Sequence, residues 1–171
     1  MVEQSNESIY LEHSDRIYRY IFLQVRQKEL AEDLTQETFY RAFKNRQSFK
    51  QQASLSTWLL KIARNATYDY FRRKRIIQFF SFGKEEIMDT SSSSLEDELI
   101  KKDDTERLYN ALASLKKDYR DVLLLRKINE SSIKETAYIL GWTETKVKST
   151  MARAFAALKK EMLEREGSAD E

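Results

Sequence analysis

The residues that are rare in this sequence already restrict its chemistry. Its 171 residues include no cysteine, no proline, three glycines and one histidine. Without cysteine the chain has no disulfide framework and no thiolate metal site, and a His-based triad has only His13 to draw on. Three scattered glycines cannot form a phosphate-binding loop. Because sheets need turn-forming residues, the scarcity of these residues beside 34% charged residues predicts an all-α fold.

Long apolar stretches are missing as well. The longest uninterrupted apolar run is Ala154 to Leu158, whereas a membrane-spanning helix needs about 20 such residues. The first residues are acidic rather than basic followed by an apolar stretch, so no secretory signal is expected. These features predict a cytoplasmic protein.

The formal net charge of +2 hides a strong segregation of charge. Residues 61–75 carry six basic side chains against one acid, and residues 144–160 carry five against one. Residues 84–106 carry nine acids against three lysines, and 161–171 carry five acids and one arginine. Two basic segments, each predicted to lie on a helix, indicate a polyanionic partner.

A serine-rich acidic stretch divides the chain. Residues 89–94 read Asp-Thr-Ser-Ser-Ser-Ser and show no apolar periodicity, so this segment cannot bury enough surface to offset its ordering entropy. We predict two small helical domains, at 9–78 and 105–163. A flexible linker at 79–104 joins them, and an acidic tail follows at 164–171.

The last helix of the first domain has two contrasting faces. Leu59, Ala63 and Ala66 recur at the spacing of a buried stripe. The opposite side carries Lys61, Arg64, Asn65, Tyr68, Arg72 and Arg75. Cations neutralise phosphates and aromatic rings stack on unpaired bases, so this face predicts nucleic-acid binding.

Two nearby segments have weaker signals. The loop from Phe49 to Ser56, together with Asn65, is suited to hold a base extruded from a duplex, and Ser56 or Thr57 is the predicted N-cap of the helix. An earlier helix, at about 28–47, has a polar side on which spacing alone indicates ordinary solvation. That side carries Glu32, Asp33, Gln36, Glu37 and Arg41.

In the second domain, the segment from Val122 to Leu125 and Ile128 are predicted to face the core. A helix-turn-helix pattern follows. Ser132 and Glu135 have the spacing of a capping box, and Gly141 suits a left-handed helix end. Thr143 is expected to cap the following helix, whose buried stripe includes Val147. Small donors and cations then lie outward at its leading end, as reading of the major groove requires: Thr145, Lys148, Ser149 and Arg153.

Residues of both domains recur in one known family. The blocks are 31–39 (AEDLTQETF), Ser48-Phe49, 57–73 (TWLLKIARNATYDYFRR), Leu115 to Leu125, and the helix-turn-helix from Ile133 to Leu158. In this order and spacing they resemble the extracytoplasmic-function group of bacterial RNA polymerase sigma factors. Gln51 stands where that family commonly has glycine, and Thr150 where it frequently has arginine.

The resemblance implies three binding sites. Asp33, Gln36 and Glu37 match residues that dock on the clamp helices of the polymerase β′ subunit, which replaces the solvated interpretation of that face. Residues expected to melt and bind the −10 region are Phe49, Thr57, Trp58, Lys61, Arg64, Asn65, Tyr68, Arg72 and Arg73. Those expected to bind the −35 element are Thr145, Lys148, Ser149 and Arg153.

The expected partners follow from the same resemblance. They are core RNA polymerase, through its β′ and β subunits, promoter DNA, and an anti-sigma factor, which in the family is often membrane-bound. No catalytic residue, metal, cofactor or small-molecule substrate is expected.

Two other function classes compete with the sigma-factor interpretation. One is a helix-turn-helix regulator with an N-terminal helical interaction domain. The Asp33 block and the basic, aromatic helix disfavour it, because a sensing or dimerising helix does not need such an outer face. An enzyme is poorly supported, since paired acids such as Glu85-Glu86 lie in or beside the linker, where solvation explains them.

Overall fold

The computed structural model describes residues 4–80 and 103–167, which form helices and no strands within those ranges. This confirms the all-α prediction. The N-terminal part contains α1 (Asn6–Val25), α2 (Lys28–Lys44) and α3 (Leu55–Phe80), and a 3-10 turn (Arg46–Ser48) lies between α2 and α3. The C-terminal part contains α4 (Asp103–Ser114), α5 (Lys117–Leu123), α6 (Ile133–Leu140) and α7 (Glu144–Gly167). A π-helical segment, Leu124–Ile128, continues α5.

Most of the predicted linker and the second half of the predicted tail, 168–171, lie outside the described residues. At its two ends, α3 continues to Phe80 and α4 begins at Asp103, so helix extends slightly into the range predicted as linker. Likewise α7 continues through the start of the predicted tail to Gly167. Within the described ranges, no helix is both long enough and apolar enough to cross a membrane.

The N-terminal core is built around one apolar stripe of α1. Ile17, Tyr20 and Ile21 are fully buried, and α1 packs against both α2 and α3. On α3, Leu59 and Ala63 are also fully buried. Burying one such aliphatic side chain contributes roughly 1.5–3 kcal/mol. These contacts hold α2 and α3 side by side, so that their outer faces form neighbouring surfaces.

Two helix ends differ from the predictions. Ser54 caps α3, because its Oγ accepts a hydrogen bond from the Thr57 amide at 3.1 Å; the prediction of Ser56 or Thr57 as N-cap was therefore wrong. α2 ends at Lys44 rather than near residue 47, where Asn45 and the 3-10 turn redirect the chain toward the Phe49 loop.

The helix-turn-helix forms as its capping residues predict. Ser132 Oγ accepts from the Glu135 amide at 3.1 Å, and Glu135 Oε2 accepts from the Ser132 amide at 2.7 Å. Gly141 ends α6 in the left-handed conformation with φ 67°, and the Lys146 amide donates to Thr143 Oγ1 at 3.1 Å. Local sequence therefore determines both ends of this turn.

One predicted core residue of the C-terminal domain lies outside the core. Val122 to Leu125 are buried as expected, but Ile128 is 40% exposed. The π-helical segment explains the difference, since the Asn129 amide donates to the Leu124 carbonyl five residues earlier, at 2.9 Å. The wider turn rotates Ile128 off the stripe that a regular α-helix would give it.

The two domains also contact each other. α3 packs against α6, and α1 packs against the π-helical segment and α4. Because α3 is the helix with the predicted nucleic-acid face, this packing decides which of its side chains are accessible.

Candidate nucleic-acid interface

The outer face of α2 presents the polar side chains that the sequence singles out. Asp33 and Gln36 are exposed, and Glu37 is partly exposed. Glu37 Oε1 accepts a hydrogen bond from Arg41 Nε at 2.7 Å, one turn further along the helix. These side chains form an accessible acidic surface on the N-terminal domain.

Arg41 connects this acidic surface to α3. Its Nη1 donates to Asp69 Oδ2 at 2.8 Å, while Asp69 Oδ1 accepts from Arg72 Nη2 at 3.1 Å. The chain of ion pairs therefore runs from Glu37 on α2 to Arg72 on α3. Both Asp69 hydrogen bonds are charge-assisted. The bond from Arg41 links the acidic surface of α2 to α3, whereas the bond from Arg72 lies within α3.

The predicted −10 residues differ in how exposed their side chains are. Asn65, Arg72 and Arg73 are exposed along α3. Thr57 and Trp58 are buried, at 3% and 8% exposure. The Trp58 ring packs on Phe49 with 5.1 Å between centroids, as expected of a core anchor.

The remaining −10 residues contact the C-terminal domain. Lys61 Nζ lies 4.2 Å from the centroid of the Tyr138 ring on α6. Lys117 Nζ of α5 lies 3.4 Å from the centroid of the Tyr68 ring, and the Arg64 guanidinium carbon lies 4.3 Å from the same centroid. The face predicted to bind DNA is thus partly covered.

Asp121 of α5 is the centre of this interdomain contact. Its side chain is fully buried and its partners lie on the N-terminal domain. Gln24 Nε2 donates to Asp121 Oδ1 at 2.7 Å, and the Tyr68 hydroxyl donates to Oδ2. Arg64 Nε lies 3.5 Å from Oδ2. Burial raises the pKa of Asp121 to about 6, while the Gln24 hydrogen bond and the Arg64 charge act in the opposite direction.

Two further polar contacts join the domains near the start of α3. Thr57 Oγ1 donates to Glu135 Oε1 at 3.0 Å, so the carboxylate that closes the α6 capping box also reaches α3. Hydrogen bonds from Ser132, first of all from its backbone amide, lower the pKa of Glu135. Arg16 donates to Ser56 Oγ at 2.7 Å and to the Asn129 carbonyl at 2.5 Å.

An open cleft of about 1140 Å³ adjoins the loop that follows Phe49. Phe49, Gln51 and Trp58 line it, together with parts of α1 and α2. It combines an aromatic wall with amide and hydroxyl groups, which is the chemistry that an extruded base requires. Asn65, which was expected to share this pocket, is not among the lining residues and lies two turns further along α3.

Gln51 has an unusual backbone conformation within this loop. Its φ is 53°, in the left-handed region that glycine adopts without a steric cost. The glycine common in the resembling family at this position therefore has a conformational reason. Thr150 is 7% exposed, so this side chain packs into the domain instead of joining the outer face of α7.

The predicted −35 residues share one accessible side of α7. Thr145, Lys148, Ser149 and Arg153 are all exposed. Val147 and Ala154 are fully buried on the opposite side, which orients the helix. Lys146 Nζ lies 4.0 Å from the Trp142 ring centroid and steadies the turn before the helix.

Sequence reasoning missed the residues that join the domains, above all Gln24 and Asp121, and the contact by which Arg41 joins α2 to α3. Both interdomain residues carried a signal. Gln24 is a polar residue within the apolar stripe of α1, and Asp121 directly precedes the apolar run from Val122 to Leu125. A polar side chain at a buried position needs a partner, although the sequence does not show where that partner lies.

Two family models match the chain. Sigma-70 region 2 matches residues 9–76, and Sigma-70, region 4 matches residues 105–158.

Two curated relatives extend over most of the chain. RNA polymerase sigma factor YlaC of Bacillus subtilis is 36% identical over 159 residues, which cover 92% of each chain. ECF RNA polymerase sigma factor SigX of the same organism is 34% identical over 167 residues, covering 94% of this chain and 85% of the relative.

Two solved structures share the fold. The sigma factor RpoE from Bartonella quintana, in complex with the anti-sigma factor NepR, gives a TM-score of 0.70 at 23% identity, covering 91% of this chain and 95% of that one. CnrH in complex with the cytosolic domain of CnrY gives 0.67 at 20% identity, covering 91% and 85%.

Proposed function

Because the chain belongs to the extracytoplasmic-function group of the sigma-70 family, we propose that its sigma-factor activity is divided among three surfaces. The acidic surface of α2, made by Asp33, Gln36 and Glu37, binds the clamp helices of core polymerase. The α3 face and the Phe49 loop bind and open the −10 region. The exposed side of α7 binds the −35 element. In this proposal the first two surfaces belong to a domain at residues 9–78, and the third belongs to a domain at residues 105–163.

The observation that carries the proposal is the adjacency of the acidic α2 surface and the basic α3 helix. Arg41 bonds to Glu37 on one side and to Asp69 on the other. A protein that binds polymerase and promoter at the same time needs these two surfaces in fixed relation, because the site of strand opening is set by where polymerase is bound. A sensing or dimerising domain has no such requirement, so this adjacency disfavours the regulator alternative.

The −10 assignment has support from both chemistry and shape. Asn65, Arg72 and Arg73 offer an amide and two guanidinium groups to DNA along the exposed part of α3. Guanidinium groups neutralise phosphates, and an amide reads base edges. The cleft beside Phe49 and Trp58 is wide enough for a base, and stacking there offsets part of the cost of unstacking it from the duplex.

The −35 assignment depends on α7. Its leading end follows a capped glycine turn and exposes hydroxyl, ammonium and guanidinium groups. Such groups pair with base edges and phosphates in the major groove. In this assignment Lys148 and Arg153 supply charge, and Thr145 and Ser149 supply short polar contacts.

We also propose a cytoplasmic, non-catalytic role with an anti-sigma factor among the partners. The relatives are transcription initiation factors, and core polymerase supplies the chemistry of transcription. RpoE of Bartonella quintana was solved with an anti-sigma factor bound, which supports a partner of this class.

Run-off transcription with core polymerase tests the α2 assignment. Asp33→Arg reverses the charge of an exposed residue, so core binding and promoter-dependent transcripts should be lost while the far-ultraviolet circular dichroism stays unchanged. Glu32→Arg is the matched control. The Glu32 carboxylate lies on the side of α2 near Tyr18. Burial raises the pKa of Tyr18 most, and the negative charge of Glu32 raises it further.

The outcomes separate clearly. Loss of core binding in the Asp33 variant alone supports the docking surface. Equal losses in both variants would show a general charge effect, and full activity of the Asp33 variant would refute the assignment.

A further inference from the structure

The C-terminal domain places carboxylates against the face of α3 that is assigned to DNA. Asp121 receives hydrogen bonds from Gln24 and Tyr68 and lies in ion-pair contact with Arg64. Glu135 receives a hydrogen bond from Thr57. The partners on α3 are thus a guanidinium and hydroxyl groups, the same donors that bind phosphate oxygens in nucleic-acid complexes.

An aromatic ring completes this surface. Tyr138 of α6 lies under the Lys61 ammonium at 4.2 Å. We call Asp121, Glu135 and Tyr138 the masking surface. Its two carboxylates supply oxygen acceptors to α3, and its ring supplies a cation–π contact. Each of these contacts occupies a donor or cation that DNA would use.

We propose that the masking surface competes with single-stranded promoter DNA for the α3 face, so that the free sigma factor covers its own −10 binding residues. The inference rests on the proposed −10 assignment of α3. Tyr68 cannot contact Asp121 and a DNA strand in the same way at the same time, because its hydroxyl donates to the carboxylate and Lys117 covers its ring. Arg64 Nε faces the same carboxylate at 3.5 Å, so DNA must compete with Asp121 for that charge as well. Opening of the domains is then a condition for full −10 binding.

The chemistry of the contact makes it reversible. The interface around Asp121 is polar, and a buried carboxylate gives up hydration that it regains when the domains separate. The hydrogen bonds that are lost on opening are replaced by bonds to water or to phosphate. The exposed Asn65, Arg72 and Arg73 leave part of α3 accessible for a first contact with DNA.

Energy transfer between two dyes tests the proposal on the full chain. The sequence contains no cysteine, so Lys28→Cys on α2 and Lys159→Cys on α7 give two unique labelling sites at exposed positions. The labelled chain should show the short distance of the closed arrangement. Addition of a mixed-sequence single-stranded oligonucleotide should shift it to a longer distance, with saturation.

Variants at the two sides of the contact provide the decisive comparison. Asp121→Ala should raise the open fraction by about tenfold or more, because it removes the acceptor of charge-assisted hydrogen bonds, and should tighten oligonucleotide binding to a similar degree. Gln24→Met, on the opposite side of the interface and outside the proposed binding residues, should act in the same direction. Asp118→Ala, an exposed acid one turn earlier on α5, is the matched control and should change neither quantity.

The readings separate this inference from the proposed function. A wild-type chain that is already open, oligonucleotide binding without a change in energy transfer, or closure that persists in both the Asp121 and Gln24 variants would overturn masking. If Asp121→Ala does not fold, the Gln24 variant decides alone. The distance measurement contains no polymerase. If the run-off assay fails but the closed state still depends on Asp121, the result counts only against the polymerase-binding assignment.

Discussion

Gly141 allows a quantitative test of the turn that orients the −35 helix. Its φ is 67°, its amide donates to the Ala137 carbonyl, and a Cβ added to it would meet no heavy atom within 4 Å. Gly141→Ala therefore introduces no clash, and its cost is confined to the backbone. A left-handed alanine costs roughly 1–2 kcal/mol, and the reduced entropy of the unfolded chain offsets about 0.4–1 kcal/mol of that.

The expected net effect is a loss of about 1 kcal/mol in the free energy of unfolding. For a chain of this length that corresponds to a fall of roughly 2–4 °C in Tm. Urea denaturation followed by far-ultraviolet circular dichroism measures the free energy, and a thermal scan measures Tm. The turn should keep its geometry, so promoter binding by the holoenzyme should change little below the transition.

Gly167→Ala is the matched control, because an added Cβ there also meets no atom within 4 Å and the residue has no left-handed φ. Its stability should be unchanged or slightly higher, as expected at a helix end. A loss above about 3 kcal/mol in Gly141→Ala would exceed any backbone cost and would reveal a steric conflict. No loss at all would mean that the turn does not need a left-handed residue.

Three further predictions concern the binding surfaces. Arg41→Met should lower the free energy of unfolding by about 1–2 kcal/mol, because two partly exposed charge-assisted bonds are lost, and should weaken core-polymerase binding in a pull-down assay; equal binding would refute its role in holding Glu37. Lys148→Ala should reduce the slope of log affinity against log salt for holoenzyme on promoter DNA by about 0.9, whereas Lys160→Ala, about 120° round the same helix, should leave the slope unchanged. Since burial raises the pKa of Asp121 to about 6 in the closed chain, the closed form binds a proton more tightly than the open form, so energy transfer should rise as pH falls from about 7 to about 5. Glu135, whose pKa is lowered, stays ionised in that range. Asp121→Asn should abolish the dependence, and a closed fraction that falls on acidification in this range would refute the sign. The ionisable groups that face this carboxylate from the N-terminal domain are Tyr20, Arg64 and Tyr68.

The helix-turn-helix was predictable because its determinants are local. Ser132 and Glu135 lie three residues apart, and the side chain of each accepts a hydrogen bond from the backbone amide of the other. Gly141 needs only its own backbone to adopt a positive φ. Periodicity likewise indicated which side of α7 is buried, and Val147 lies there. These features need no knowledge of the rest of the chain.

The errors lie where a local rule met a longer-range effect. Ile128 was expected in the core, but it lies in the π-helical segment, whose wider turn directs the side chain outward. Residue spacing counts turns of 3.6 residues and does not register one wider turn. The α3 cap was misplaced by two or three residues because Ser54, Ser56 and Thr57 all have suitable hydroxyl groups, and only the backbone path selects Ser54.

By itself, the sequence determined an all-helical chain, the residues on each helix face and the family to which they point. Those properties depend on neighbours within a few turns. Only the tertiary structure decided that Asp121 meets Arg64 and Tyr68 and that the basic face of α3 is partly covered. The reason is physical. Cations and hydroxyl groups on a helix face can bind the oxygens of a phosphate or of a carboxylate, so the sequence does not select between them. The packing of the chain decides which group comes within hydrogen-bond distance.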